Sequence, residues 1–250
     1  MVIDTGPIMD SSGFFFILIT GVIVIALSYA LDHVWAAAMP ARMIYLFMRL
    51  PGVVVHECAH IAGCLITGAR IQKVILFSKD GGSVTHTRPL LPFIGDVIIS
   101  TAPLFLLPLA LFFISWIFVT FLGCIIPAFP SSLGSPDTLI HFGESVTSTF
   151  TDNLLTRFNG WFLLYLYLTV SLVLSIAPSP QDMKNAAAGI ILLTLAGVLA
   201  AGSGIPEAVD LLTGLVLLIG DGFTLGLIYG LLALAVSLPL IFWYGYSHRS

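Results

Sequence analysis

Charge is what this sequence lacks most. Only 9% of its 250 residues are Asp, Glu, Lys or Arg, against about 25% in an ordinary soluble domain. That argues against a soluble enzyme. The 9 basic residues face 13 acidic ones, for a net charge of -4, so there is no basic field to hold nucleic acid. Cysteine is scarce as well. Cys58, Cys64 and Cys124 cannot build a disulfide framework; the first two, in one apolar segment, are expected as buried free thiols. Apolar residues are abundant, at 58% of the chain, which excludes a disordered polymer.

Those apolar residues come in long uncharged runs. Gly13–Leu31 has 19 residues, Val97–Pro136 has 40, Phe158–Gln181 has 24, Asn185–Pro206 has 22 and Gly222–Ser247 has 26. A membrane-spanning helix needs about 20 apolar residues. The chain therefore reads as an all-α polytopic membrane protein, a single integral-membrane domain over 1–250. Met1–Ser12 carries two acids and no base, so Gly13–Leu31 is expected as a retained first helix and not a cleaved signal. A sixth apolar segment, Leu50–Ala69, starts with Pro51 in a position suited to a first helical turn and stops at Gly68. The expectation is about six transmembrane helices.

Residues of about 70–88 read differently. Val74–Phe77 and Val84–Thr87 flank the turn Lys79-Asp80-Gly81-Gly82, which predicts a β-hairpin. Backbone of that kind at membrane depth must be sheltered by protein. Arg70, Lys73, Lys79 and Arg88 against Asp80 alone put the hairpin on the cytoplasmic side. The acidic, Ser- and Thr-rich stretch of about 124–157 is expected as the main extracytoplasmic loop. The scheme then has the Leu50–Ala69 helix running inward. The segment from Asp96 runs out, kinked at Pro103 and Pro108, and Phe158–Ala177 runs in. Asp182–Ala201 runs out and Gly222–Tyr246 runs in, with Arg42 and Arg49 outside. Glu207–Gly220 is left open as a half-helix or as the start of the last helix.

The chemistry lies in His56-Glu57-Cys58-Ala59-His60. On a helix, positions i and i+4 share a face, so two imidazoles can hold one metal. Glu57, turned about 100° away, can reach a metal-bound water without being a ligand. Zinc lowers the pKa of such a water to about 7, and a carboxylate can then move its proton to a leaving amine. His56, His60, Gly63 and Thr67 form one stripe whose small residues admit a partner helix. A catalytic zinc takes three protein ligands, so that helix is expected to bring the third. Asp96, Asp182, Asp210 and Asp221 are the distant acids. Asp182 follows the helix-breaking Pro178-Ser179-Pro180, where an acid faces a cavity; the other reading is an N-cap. Asp96 reads as a first-turn acid, and Asp210 and Asp221 as interfacial. His33, His141 and His248 read as solvated, and His86 as a strand residue.

With H-E-x-x-H in a membrane helix, a hairpin after it and a Pro-rich turn ending in Asp, the chain resembles the site-2 protease family of intramembrane zinc metalloproteases. His56–Pro89 looks like that family's first motif and its membrane-associated β-loop. Ser100-Thr101-Ala102-Pro103-Leu104 is similar to its Ala-Gly-Pro-Leu stretch. Asp182 matches the aspartate of its second motif, although Leu174, Gln181 and Met183 replace that motif's Asn, Leu and Gly, and Pro178 is one position out of place. The match covers roughly 50–200, without a PDZ-like insertion. The resemblance implies Glu57 as catalytic base and His56, His60 and Asp182 as ligands of one Zn2+ per chain. Ser175 or Asn185 would stand in for the missing Asn in holding substrate. It implies hydrolysis of a peptide bond within or near a transmembrane segment of a membrane-protein substrate, at a site toward the cytoplasmic face of the cell membrane, with the hairpin edge adding an extended substrate strand. The alternatives are a non-catalytic zinc-stabilised membrane scaffold, which has no need of Glu57, and a metal-ion transporter, against which stands the lack of an internal repeat.

Overall fold

A computed structural model describes residues 11–78, 81–130, 135–203 and 205–247. The elements in chain order are α1 (Ser11–Ala38), α2 (Arg42–Thr67), β1 (Ile71–Ile75), β2 (Ser83–His86), α3 (Ile94–Leu122), α4 (Pro136–Phe150), α5 (Gly160–Val173), α6 (Pro180–Gly202) and α7 (Pro206–Ser247). Among the described residues, five helices, α1, α2, α3, α6 and α7, are long and apolar enough to cross a bilayer, where six were expected. The sixth apolar helix, α5, has 14 residues. This set is compatible with a multi-pass membrane protein. The expected turn residues Lys79 and Asp80, and His248, lie outside the described residues.

Three local expectations change for physical reasons. First, α2 begins at Arg42, so Pro51 is inside it and not in its first turn. Proline has no N–H and leaves the carbonyl four residues back without a helical donor. That carbonyl, Phe47 O, accepts the Tyr167 hydroxyl of α5 at 2.8 Å. Second, β1 starts earlier than expected and pairs antiparallel with β2, Ile71 opposite His86 and Ile75 opposite Ser83. The Ser78 hydroxyl donates to Gly81 O at 2.6 Å, which closes the turn and leaves Phe77 out of the ladder. Third, the stretch expected as a loop over 124–157 folds largely into α4 and a π-helical turn, Thr151–Thr156. Ser135 caps α4 by accepting from Thr138 N, Pro136 occupies its first turn, and Phe142, Val146 and Thr149 are buried.

Packing sets the direction of each helix. Gly63 and Gly95 bring α2 and α3 together in opposite order, against Ile99 and Thr67 respectively. Gly52 abuts Ser171, and His56 reaches Ser175 O, so α5 runs parallel to α2. On α7, Gly220, Gly226 and Gly230 abut Ile17, Val24 and Leu27 in turn, and Trp35 Nε1 donates to Ser237 Oγ at 2.9 Å. Gly222 and Gly226 also meet Phe105 and Pro108 of α3. Thus α1, α3 and α7 are parallel, and α2 and α5 oppose them. Buried hydroxyls tie the far half together: Ser115 Oγ lies 3.1 Å from Tyr165 OH and 2.7 Å from Tyr229 OH.

This order corrects the expected course of α6 and α7. Asp182 lies near His60, whereas Gly189 abuts Phe93 and Val97, so α6 runs antiparallel to α3 and keeps the sense of α5 instead of returning. Glu207–Gly220 is the start of a single continuous helix of 42 residues, about 63 Å long. Its first half pairs with α6, Gly197 facing Leu212, and both expose apolar residues such as Leu195, Leu199, Leu211 and Leu218. Its second half returns through the bundle, so the C-terminal end of α7 lies opposite the hairpin and not on its side. Arg49, expected outside, sits beside Asp32 of α1, Nε to Oδ1 3.1 Å, so its charge is matched within the protein.

A labelling experiment tests these directions. In a background without Cys58, Cys64 and Cys124, cysteines at Ser83 and Gly245 should react with an impermeant thiol reagent from opposite faces of the membrane. A cysteine at Ser135 should share the face of Gly245. Labelling of positions 83 and 245 from one face would show that the parallel order is not the membrane topology.

Candidate metal centre

The helix α2 carries both histidines because no proline interrupts it from Gly52 to Thr67, and Gly68, a left-handed residue at φ 71°, ends it. One turn apart, the imidazoles stand edge to face with centroids 4.8 Å apart. Their Nε2 atoms are 3.1 Å from each other. Each Nδ1 faces a main-chain carbonyl, His56 that of Ser175 at 2.6 Å and His60 that of Ile99 at 2.8 Å. A carbonyl can only accept, so both rings carry their proton on Nδ1 and turn an Nε2 lone pair inward, as metal-bound histidines do.

Asp182 completes the group. Its Oδ1 is 3.6 Å from His60 Nε2 and its Oδ2 is 4.0 Å from His56 Nε2. The three residues are the group of His, Cys, Asp and Glu among the described residues that could hold a metal ion, with ligand atoms within 4.8 Å of one another. In a tetrahedral site with bonds of 2.0–2.2 Å, ligand atoms stand about 3.3–3.6 Å apart. The two Nε2 atoms at 3.1 Å and Asp182 Oδ1 at 3.6 Å from His60 Nε2 lie close to that spacing, whereas His56 Nε2 is 4.0 Å from the other oxygen, Oδ2. The donor types therefore fit a divalent ion, and the carboxylate would move toward His56 to bind it.

Asp182 is an N-cap partner and also lies beside the two histidines. Ser179 precedes α6 and forms a reciprocal capping box with it. Its N–H and hydroxyl donate to Asp182 Oδ2 at 2.9 and 2.6 Å, and Asp182 N–H donates back to Ser179 Oγ at 3.2 Å. The cap occupies Oδ2 and leaves Oδ1 toward His60. The stripe of Gly63 and Thr67 admits a partner helix as expected, but that helix is α3. The carboxylate arrives from α6, which packs on the other side of α3.

Glu57 is buried at 6% exposure, and its Oε2 has no hydrogen-bond partner among the described residues. The turn of the hairpin rests on it: a Cβ at Gly82 would collide with Glu57 Cγ. Ser175 and Asn185 part company. The Ser175 side chain is buried against Gly52, and the Ser175 carbonyl meets His56 Nδ1. Asn185 is exposed, accepts from Gln181 Nε2 at 2.8 Å, and lines a groove of about 320 Å³ with Thr85, His86, Arg88 and Asp96.

The other candidates lie elsewhere. Asp96 is in the first turn of α3, and Asp210 and Asp221 are exposed along α7. His141 is exposed and faces Glu144 at 3.1 Å. Of the cysteines, Cys64 and Cys124 are buried but Cys58 is exposed, because its position faces away from both α3 and α5. The two carbonyls and the capping box were not anticipated, although Ser179-Pro180-Gln181-Asp182 carries the capping signature. The chain matches no protein-family profile, no curated protein and no solved structure.

Proposed function

We propose that this chain is an intramembrane zinc endopeptidase of the site-2 protease type, cleaving a peptide bond within or near a transmembrane segment of a membrane-protein substrate. The observation that carries the reading is one arrangement: two imidazoles with inward Nε2 atoms, a carboxylate from a distant helix beside them, and a second, buried carboxylate on Glu57 whose Oε2 has no hydrogen-bond partner among the described residues. A zinc ion there supplies Lewis acidity and a nucleophile at neutral pH. His56, His60 and Asp182 would hold it. Glu57 takes the proton of the attacking water on a carboxylate oxygen and delivers it to the leaving amine.

The site lies near one end of the bundle, since Ile99 is about 8 Å along α3 from Ile94. The basic hairpin at that end supports a cytoplasmic location. The groove beside β2 suits an extended substrate segment, with Asn185 on its wall. A zinc-stabilised scaffold is the second reading. The buried carboxylate of Glu57 disfavours it, because an uncompensated acid costs stability and a scaffold gains nothing from it.

Full-length protein in detergent should hold about one zinc per chain, as tetrahedral His and carboxylate sites do, and should cleave a reconstituted transmembrane substrate. His56→Ala should lose both. Retention of the metal by that variant would remove the site, and zinc without cleavage of any transmembrane substrate would favour the scaffold.

A further inference from the structure

We infer that Pro103 is a positioning residue for the metal centre, because its missing N–H leaves the Ile99 carbonyl free to orient His60. The inference rests on the reading that His56, His60 and Asp182 hold a metal. Pro103 lies inside α3. In a continuous helix the N–H of residue 103 would donate to the carbonyl of residue 99. Proline has no N–H to give, and Ile99 O instead meets His60 Nδ1 at 2.8 Å. His60 is buried, at 7% exposure, so water offers no ready alternative acceptor.

The approach of the two helices completes the device. A Cβ at Gly63 would stand 2.9 Å from Ile99 Cα, so only glycine lets the α3 backbone come within reach of a short imidazole on α2. Proline frees the carbonyl and glycine brings it close. The same device occurs away from the site, where Pro51 frees Phe47 O for Tyr167. A related one serves His56: Ser175 O lies beyond the end of α5, where Pro178 stops the helix and the Ser179 N–H is turned to Asp182.

The consequence is a fixed tautomer. With Nδ1–H held by Ile99 O, His60 Nε2 keeps its lone pair toward His56 and Asp182. In Pro103→Ala a main-chain N–H returns and competes for the same oxygen along the helix axis. The imidazole then loses part of its anchor while α3 gains a hydrogen bond.

That opposition separates positioning from a structural role. Zinc affinity is measured by chelator competition on the full-length protein in detergent, and thermal stability on the metal-free protein. Pro103→Ala should weaken zinc about tenfold, the low end of what loss of an outer-shell partner costs, while metal-free stability stays level or rises. Pro108→Ala is the control. The carbonyl it would re-pair, that of Leu104, is about 8 Å further along α3, so its zinc affinity should equal that of the unaltered protein. In the unaltered protein, 15N NMR of the imidazoles should find His60 as the Nδ1–H tautomer with and without zinc. Unchanged affinity in Pro103→Ala, equal loss in both proline variants, or an Nε2–H tautomer at His60 would overturn the inference. If His56→Ala binds zinc as the unaltered protein does, the metal reading itself fails, whatever the proline variants do.

Discussion

Glu57→Gln should keep its zinc and lose cleavage by about 10²–10⁴-fold, the usual worth of a general acid–base group. The substitution preserves the shape of the side chain but removes its ability to take a proton. The metal should remain because Glu57 is not in the group that could hold it, which consists of His56, His60 and Asp182. Stability of the metal-free protein should not fall, since Glu57 Oε2 has no hydrogen-bond partner among the described residues and a neutral amide is cheaper to bury than a carboxylate. Zinc content, cleavage of a transmembrane substrate and thermal midpoint are measured on one preparation. Loss of zinc together with activity would make Glu57 a ligand. Undiminished cleavage would end the protease reading.

The parts of this protein that were legible in its sequence are those that depend on local pattern. His56, Glu57 and His60 are fixed by helical spacing alone, and the hairpin by alternation and glycine. Asp182 was legible because a proline break beside an acid is costly in a membrane. The course of α6 and α7 was not. Uncharged length says that a segment can cross a bilayer, but which way it runs depends on which faces it buries, and the glycines along α7 that meet α1 and α3 look in sequence like any membrane glycine. The missed loop helix has a similar origin. Ser135-Pro136 is a good helix start, but in an acidic, hydroxyl-rich stretch it reads as a turn until Phe142 and Val146 find a surface to cover.

The hydrogen bonds that orient the imidazoles were illegible for another reason. Their acceptors are main-chain carbonyls, which carry no residue-type signal. Only the prolines mark them, and a proline in a membrane helix reads first as a kink. Pro51 and Pro103 share one consequence, a carbonyl four residues back left unpaired at a helix–helix contact, and in each case a side chain from another helix takes it; at Ser175 the carbonyl is free because it lies beyond the end of α5. Inside a bilayer no water stands ready to do so, which makes each such carbonyl a strong and specific anchor.

At Asp182 the proposed ligand and the helix cap coincide, and two substitutions separate them. Asp182→Ala removes both functions. It should abolish stoichiometric zinc binding and cleavage, a larger loss than the about 10–100-fold of outer-shell changes. It should also lower metal-free stability by about 0.5–2 kcal/mol for the broken cap. Asp182→Asn keeps an oxygen that can accept from the Ser179 N–H and hydroxyl, whose bonds to Oδ2 are 2.9 and 2.6 Å, but it replaces an anionic carboxylate by a neutral amide, a much weaker ligand for zinc. It should therefore hold the stability of the unaltered protein and still lose zinc and activity. If Asp182→Asn retained both, the carboxylate would be a cap alone and the third ligand would lie elsewhere. Asp96, the next acid to consider, lies on the groove with Arg88 and Asn185. If instead the two variants lost stability equally but kept zinc, the contribution of Asp182 would be to the fold of α6 and not to the metal. The prediction is that stability and zinc affinity come apart in Asp182→Asn, because the two carboxylate oxygens face different partners: Oδ2 is held by Ser179 at the start of α6, and Oδ1 lies toward His60, where the proposed ion would sit.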